Sequence, residues 1–386
     1  MFFTFIIQRS SFSILLCLFL FTTGCAVSGL DTARRDFYKG NYEQAYSCLT
    51  NAPPDKTHKV LLLMERGTIH QARNKHDESI EDWLTAARLA EQLDYYSVTR
   101  GVASFAVNDQ VMAFRGVPYE RTLLHAFTAK SYLALSMWED AAVEARNIIF
   151  RLENLNGFPD DPYSHYLAGF CLETIGDYDG AAFQYRTASE LHKDLSIDEN
   201  TGRIIPNSDT NSLFIIHNSS FSSELVCFVS MGRSPIEYGV QKKNYSAEKM
   251  PYAEIYSDNN YLGRSYLFTI TKKLRSETEK RLEALRVTKE STRILLKEAL
   301  VEAIENKNEE LGKLIRLILF SVEIPDKRRW ETLPLGLQIA RVPCPENLKN
   351  YKIIFKNSWG QVISEKTISA PLSKSRKVFV SFCRDL

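Results

Sequence analysis

The chain has 386 residues, of which 44% are hydrophobic and 25% are charged, and its formal net charge is +1. This is the composition of a globular protein, and the length is enough for two domains. A net charge so close to zero excludes a strong field toward nucleic acid or anionic lipid, so we predict no nucleic-acid partner.

The amino terminus has the features of a bacterial lipoprotein signal peptide. Arg9 precedes an apolar run over 12–21, and small residues then lead to Cys25. In such leaders the cysteine thiol receives a diacylglyceryl group, the peptide is cleaved before the cysteine, and the new amino group is acylated. We therefore expect 1–24 to be removed and the mature chain to be held on a membrane by the lipid on Cys25.

Two features of this leader leave an alternative open. Thr22 stands where a lipobox usually has Leu, and 2–7 are also apolar. An uncleaved transmembrane anchor needs about 20 apolar residues, but polar residues at 8–11 interrupt this one. Ala26 stands where an Asp commonly retains lipoproteins in the inner membrane. It therefore favours an outer-membrane lipoprotein that faces the periplasm.

The first half of the chain repeats a short pattern. It occurs at 40–45, 74–79, 136–141 and 176–181. The first two copies are 34 positions apart, which is the period of the tetratricopeptide repeat (TPR), a helix–turn–helix unit. In each copy a small residue ends the first helix, an aromatic ring packs at the turn, and a second small residue allows close helix packing. We predict four stacked hairpins, near 30–52, 58–92, 120–153 and 162–192.

After about residue 195 the sequence changes character. Residues 196–211 are rich in Asn, Asp, Gly and Ser, which is typical of a linker. Strand-like runs follow, and a helical block near 275–320 separates the early strands from the late ones. We predict an α+β chain: an α-solenoid of TPR-like hairpins over 25–195, then a β-rich, sandwich-like domain over 212–386 with a helical insertion.

The sequence contains few signs of catalysis. It has no nucleotide-binding glycine motif, no His-Glu-x-x-His zinc motif and no Gly-x-Ser-x-Gly elbow. We therefore predict no cofactor, no metal and no enzyme activity. The alternative is an envelope hydrolase that uses Cys227, Cys344 or Cys383 with His217. No motif surrounds these residues, so core packing is the favoured interpretation.

The first helices of a TPR array line a concave surface that holds a partner peptide or helix. The repeat register places six residues there: Lys130, Leu133, Tyr163, Tyr166, Phe170 and Glu173. The three aromatic residues lie three and four positions apart and form a stripe. We expect this surface to bind another envelope protein. Packing of the rings on the linker or on the second domain is the alternative, and TPRs also serve in self-association.

Two residues near the end of the chain allow two interpretations. Trp330, next to Arg329, and Arg341 have the residue types of binding anchors. The favoured interpretation is that Trp330 is buried in the sheet and that Arg341 is paired at its edge.

Four segments resemble a known family. They are 116–125, 161–169, 225–235 and 329–341. Together they resemble an uncharacterised family of bacterial TPR-containing lipoproteins of the outer membrane. The resemblance implies an envelope lipoprotein, and family members are often encoded near lipoproteins that activate peptidoglycan synthases. It thus favours a protein-binding module or scaffold in cell-wall or envelope assembly. A self-associating structural lipoprotein is the alternative.

Overall fold

The first half of the chain folds into four antiparallel helical hairpins, as predicted. The helices are α1 Gly24–Tyr38, α2 Tyr42–Thr50, α3 Lys59–Ala72, α4 His76–Thr99, α5 Pro118–Ala134, α6 Trp138–Glu153, α7 Pro162–Ile175 and α8 Tyr178–Leu191. This computed structural model describes residues 24–50, 56–99, 113–206, 222–233, 250–306, 310, 326, 328–369 and 373–385. The predicted leader over 1–24 lies outside these ranges except for Gly24.

Local chemistry explains the hairpins. The carboxylate of Asp161 accepts the backbone N–H groups of Tyr163 and Ser164 and so caps the start of α7. Gly176 ends α7 with φ of +87°, a left-handed conformation that glycine adopts without strain. A Cβ atom on Gly67 would lie 2.3 Å from Nε1 of Trp83. Glycine is therefore needed there for α3 and α4 to approach closely.

The second half of the chain contains two larger sheets and a small hairpin. Its strands are β1 Leu195–Ile197, β2 Ile204–Pro206, β3 Ser223–Arg233, β4 Tyr252–Ser257, β5 Asn260–Arg264, β6 Tyr266–Ile270, β7 Pro334–Cys344, β8 Asn350–Lys356, β9 Val362–Ser369, β10 Ser373–Ser375 and β11 Val378–Asp385. The order in one sheet is β10-β11-β3-β7-β6, and in the other it is β5-β4-β8-β9. The pairing of β11 with β3 is parallel, and the other pairings are antiparallel.

The five-stranded sheet contributes to two apolar cores. Successive side chains of a strand point to opposite faces. Leu225 and Cys227 of β3 therefore pack toward the four-stranded sheet, against Ile353 and its neighbours. Val226 and Phe228 lie on the other face and join the core of the helical hairpins. The sandwich is thus covered on one side by the helical repeats, which agrees with the alternative that the aromatic stripe packs on the second domain.

The predicted linker is wrong in its first part. Leu195 and Ile197 of β1 are buried, and β1 pairs with β2. Alternate apolar residues and a turn at Gly202, whose φ is +65°, explain this short hairpin. The helical insertion is present as α9, Thr271–Glu305. Within the described ranges, none of the helices combines the length and the apolar character that a membrane span requires.

Candidate functional site: the concave face of the repeats

The concave face of the repeats is formed by α1, α3, α5 and α7. Strand β3 crosses it. Phe228 packs on Phe170 of α7 with ring centroids 5.5 Å apart. Two residues further on, Ser230 accepts a hydrogen bond from Nζ of Lys130 on α5 at 3.4 Å. At the end of the strand, Arg233 donates to the backbone carbonyl of Tyr38 on α1. The chain's own sheet therefore occupies the groove along its length.

The aromatic stripe packs on this sheet. Tyr163 meets Phe228 edge-on with ring centroids 6.1 Å apart. Tyr166 meets Phe268 of β6 in the same way at 5.1 Å. The side chains of Tyr163, Tyr166 and Phe170 are fully buried. Their rings therefore contribute apolar contact within the chain instead of an open surface for a partner.

Glu173 forms an ion pair with Arg341 across the groove. Its two carboxylate oxygens accept hydrogen bonds from Arg341 of β7 at 2.8 and 2.9 Å. Arg341 also donates to Glu224 of β3 at 2.7 Å, and its side chain is only 3% exposed. A bidentate pair of this kind fixes geometry as well as charge. The interpretation of Arg341 as a paired residue is confirmed.

The partner-binding prediction for the six groove residues needs correction. Five of them are buried, and the Glu173 side chain is 16% exposed. The set comprises Lys130, Leu133, Tyr163, Tyr166, Phe170 and Glu173. These residues do lie on the concave surface, but the chain's own β-sheet covers it. The physical reason is that the outer face of the five-stranded sheet carries apolar residues that need burial as much as the groove does.

A second occupant of the groove is the segment over 328–333, which leads into β7. Trp330 is 2% exposed and lies between Trp83 and Phe127, with ring centroids 6.1 and 5.7 Å away. Its indole N–H donates to Oγ1 of Thr68 at 3.0 Å. Its backbone N–H donates to Oε1 of Glu120 at 2.7 Å. Trp330 is therefore buried, as favoured above, but among the helices and not in the sheet.

Glu65 binds the backbone of the same segment. One oxygen accepts the N–H of Glu331 at 2.9 Å, and the other accepts the N–H of Thr332 at 3.1 Å. Arg34 donates to Glu65 at 2.8 Å and to the carbonyl of Arg329 at 2.8 Å. The groove thus holds a segment of its own chain, which turns at 331–333, through hydrogen bonds to the backbone of that segment.

Sequence reasoning missed Arg34, Glu65 and Glu120 as groove residues. Glu65 is fully buried even though it follows an apolar run over 60–64. A buried carboxylate needs partners, because desolvation of an unpaired charge is costly. A charged residue directly after the apolar run of α3 was therefore the available signal. It indicates a buried polar partner but does not identify that partner.

Burial changes the protonation of two groove residues. It raises the pKa of Glu120 to about 7, although hydrogen bonds from the N–H groups of Trp330 and Val117 oppose this. It also lowers the pKa of Lys130 to about 7, and the charge of Arg384 adds to this effect. The amine of Lys130 lies 4.4 Å from the centroid of the Phe127 ring. Two groups with pKa values near neutral pH therefore lie inside the interface between the helices and the sheet.

The cysteines of the β domain do not resemble nucleophiles. Cys227 and Cys344 are fully buried, and Cys383 is 7% exposed. Burial raises the pKa of Cys344 to about 12 and that of Cys383 to about 11. Such thiols form little of the reactive thiolate near neutral pH. His217, the predicted base of the hydrolase alternative, lies outside the described residues.

The comparisons with known proteins give a weak structural likeness. No family model and no curated protein matches the chain. Residues 41 to the end of MamA from Desulfovibrio magneticus RS-1 are 10% identical, with a TM-score of 0.31, over 44% of this chain and 76% of that one. The apo form of RapI is 12% identical, with a TM-score of 0.33, over 43% and 55%. A likeness this weak supports no conclusion about function. The resemblance to TPR-containing lipoproteins therefore stays a prediction.

We predict that Trp330→Ala lowers the free energy of unfolding by about 3–5 kcal/mol, because it leaves a cavity among helices that pack on the ring. Trp359 is 79% exposed, so Trp359→Ala serves as the matched control and should change stability by less than about 0.5 kcal/mol. Urea denaturation measures both. Equal losses for the two variants would contradict the buried position of Trp330.

A second prediction concerns pH. The ordinary lysine pKa is 10.5, and the folded value for Lys130 is about 7. Because the unfolded chain binds the proton more tightly, the charged amine destabilises the fold fully below pH 7 and progressively less as the pH rises to 10.5.

Lys130→Met should therefore stabilise the protein by a few kcal/mol at pH 6, and this gain should shrink by pH 9.5. Exposed Lys349→Met is the control for urea unfolding. A gain independent of pH would contradict the burial of a charged amine.

Proposed function

We propose that the chain is a lipid-anchored protein of the bacterial cell envelope that binds other envelope proteins as a non-enzymatic scaffold. Cys25 would carry the lipid in the outer membrane, and the folded part would face the periplasm. The leader that ends at Cys25 supports the anchor. Leu30, five positions later on α1, is already buried in the core. At 1.5 Å per helical residue, the lipid site would lie about 7.5 Å along the helix from Leu30.

The scaffold role rests on one observation, which is an exposed apolar set on the outer helices. Val143 and Phe150 of α6 are 51% and 60% exposed, and Phe183 of α8 is 56% exposed. Val143 and Phe183 occupy the same position in the third and fourth repeats. The equivalent positions of the first two repeats hold Ser47 and Glu81. Since the concave face is filled by the chain itself, these outer residues are the better surface for another protein.

The anchor is tested by Cys25→Ser. We expect the wild-type protein to partition into the detergent phase and to start at an acylated Cys25 by mass spectrometry. The variant has no thiol to acylate and should move to the aqueous phase. Cys48→Ser, which also removes a single thiol, should partition as the wild type does. Retention of residues 1–24 in the mature wild-type protein would overturn the anchor.

The outer surface is tested by photocrosslinking in cells. A photoreactive residue at position 183 should form a discrete crosslinked species, and one at position 81, the equivalent site of the second repeat, should not. Val143→Asp should remove the species at position 183, because a charge in an apolar contact is costly to desolvate. A product of twice the chain mass would instead favour self-association. Equal crosslinking from both positions would reject this surface.

A further inference from the structure

The turn between β8 and β9 projects an exposed tryptophan from a rigid support. The side chain of Asn357 accepts the backbone N–H groups of Trp359 at 3.0 Å and of Gln361 at 2.9 Å. Its amide donates to Oε1 of Gln361 at 2.9 Å, and Gly360 takes a φ of +79°. Trp359 itself is 79% exposed. Hydrogen bonds within the turn thus fix its backbone, and the Trp359 ring projects into solvent.

The apolar surface continues around the tip of this hairpin. Val362 and Ile363 are 59% and 50% exposed. They begin β9 at a shift in register, since Lys356 of β8 pairs with Val362 and Phe355 pairs with Ser364. Residues 357–363 contain no charged side chain, although a quarter of the whole chain is charged. The hairpin tip, defined as 357–363, is therefore uncharged and exposes three apolar side chains.

An uncharged tip with an exposed indole ring fits the interface of a lipid bilayer. Tryptophan is the side chain that favours the boundary between water and hydrocarbon, because its ring is apolar and its N–H is polar.

The hairpin tip lies at the end of the sandwich that packs on the first helical hairpin. Strand β3 runs from α7 toward α1, and β11 lies parallel to it. At the end of β11, Asp385 accepts a hydrogen bond from Ser364 of β9 at 2.9 Å. The neighbouring Arg384 lies over the ring of Phe37 on α1 at 4.6 Å. The turn from Ser364 back to Trp359 therefore lies at the end of the sandwich nearest the first helical hairpin. Cys25 is in that same helical hairpin, about 18 Å along α1 from Phe37.

We infer that the hairpin tip over 357–363 inserts into the interface of the bilayer that holds the acylated Cys25. This inference rests on the lipid anchor of the proposed function. The lipid on Cys25 and the inserted hairpin tip together fix the orientation of the molecule. The first repeat then faces the lipid, and the fourth repeat is farthest from it. Because the tip carries no charge, the contact does not depend on anionic headgroups.

The test uses the acylated full-length protein in vesicles of phosphatidylethanolamine and phosphatidylglycerol, with and without brominated acyl chains. Bromine quenches only those indole rings that enter the acyl region. Trp83 and Trp330 are buried in the protein, so the expected quenching comes from Trp359. We expect Trp359→Phe to abolish the difference between the two kinds of vesicle and Trp138→Phe to preserve it. The quenching should also persist in 0.5 M salt, on the order of the concentration that screens surface charge.

The outcomes separate the two proposals. Flotation of the vesicles first reports whether the wild-type protein is anchored. If it floats and Trp359→Phe is quenched as strongly as the wild type, the hairpin tip does not enter the bilayer, and the lipid anchor stands. If quenching disappears in 0.5 M salt, the contact is electrostatic and the inference is wrong. If the wild-type protein does not float, the anchor fails and the inference fails with it.

Discussion

This architecture depends on the hydrogen bonds that the buried carboxylate of Glu65 accepts. It accepts two backbone N–H groups from Glu331 and Thr332 and a hydrogen bond from Arg34. Without the segment over 328–333, a charged group at the centre of the helical layer would lose most of its partners, which is costly in a buried site. Without the helices, Trp330 and the outer face of the five-stranded sheet would be exposed. The two halves of the chain therefore complete each other and form one folded unit.

This dependence changes what the repeats do. A concave TPR surface is usually considered a binding site for another molecule, and here the chain supplies the bound peptide and the bound sheet itself. The groove contacts are also polar where they need to be specific, through the pairs Glu173–Arg341 and Glu120–Trp330. Contacts of the kind that would bind a ligand in an open groove here stabilise the fold. Exposed apolar side chains lie instead on the outer helices, as at Phe150 and Phe183, and at the turn between β8 and β9, as at Trp359.

Much of the fold could be predicted because its signals are local. Gly67 and Gly176 mark close packing and a helix end in the sequence itself, and alternation marks the strands. The occupant of the groove could not be predicted, because Glu65 and Glu331 are 266 positions apart and a single sequence holds no sign of that pairing. Apolar residues on the first helices predict burial, but they do not say whether the covering surface belongs to another chain. The small hairpin of β1 and β2 was missed because turn residues around it resemble those of a linker.

The parallel pairing of β11 with β3 has a consequence for how the protein reaches this state. Val378 pairs with Glu224, 154 positions earlier in the chain. Contacts between residues so distant in sequence form late, since a long loop must close before any of them stabilises the structure. The helical repeats have mostly local contacts and can form first, with Tyr163, Tyr166 and Phe170 still uncovered. In that order of folding the aromatic groove stays open until the strands pair, and a chaperone has the most to protect before this step.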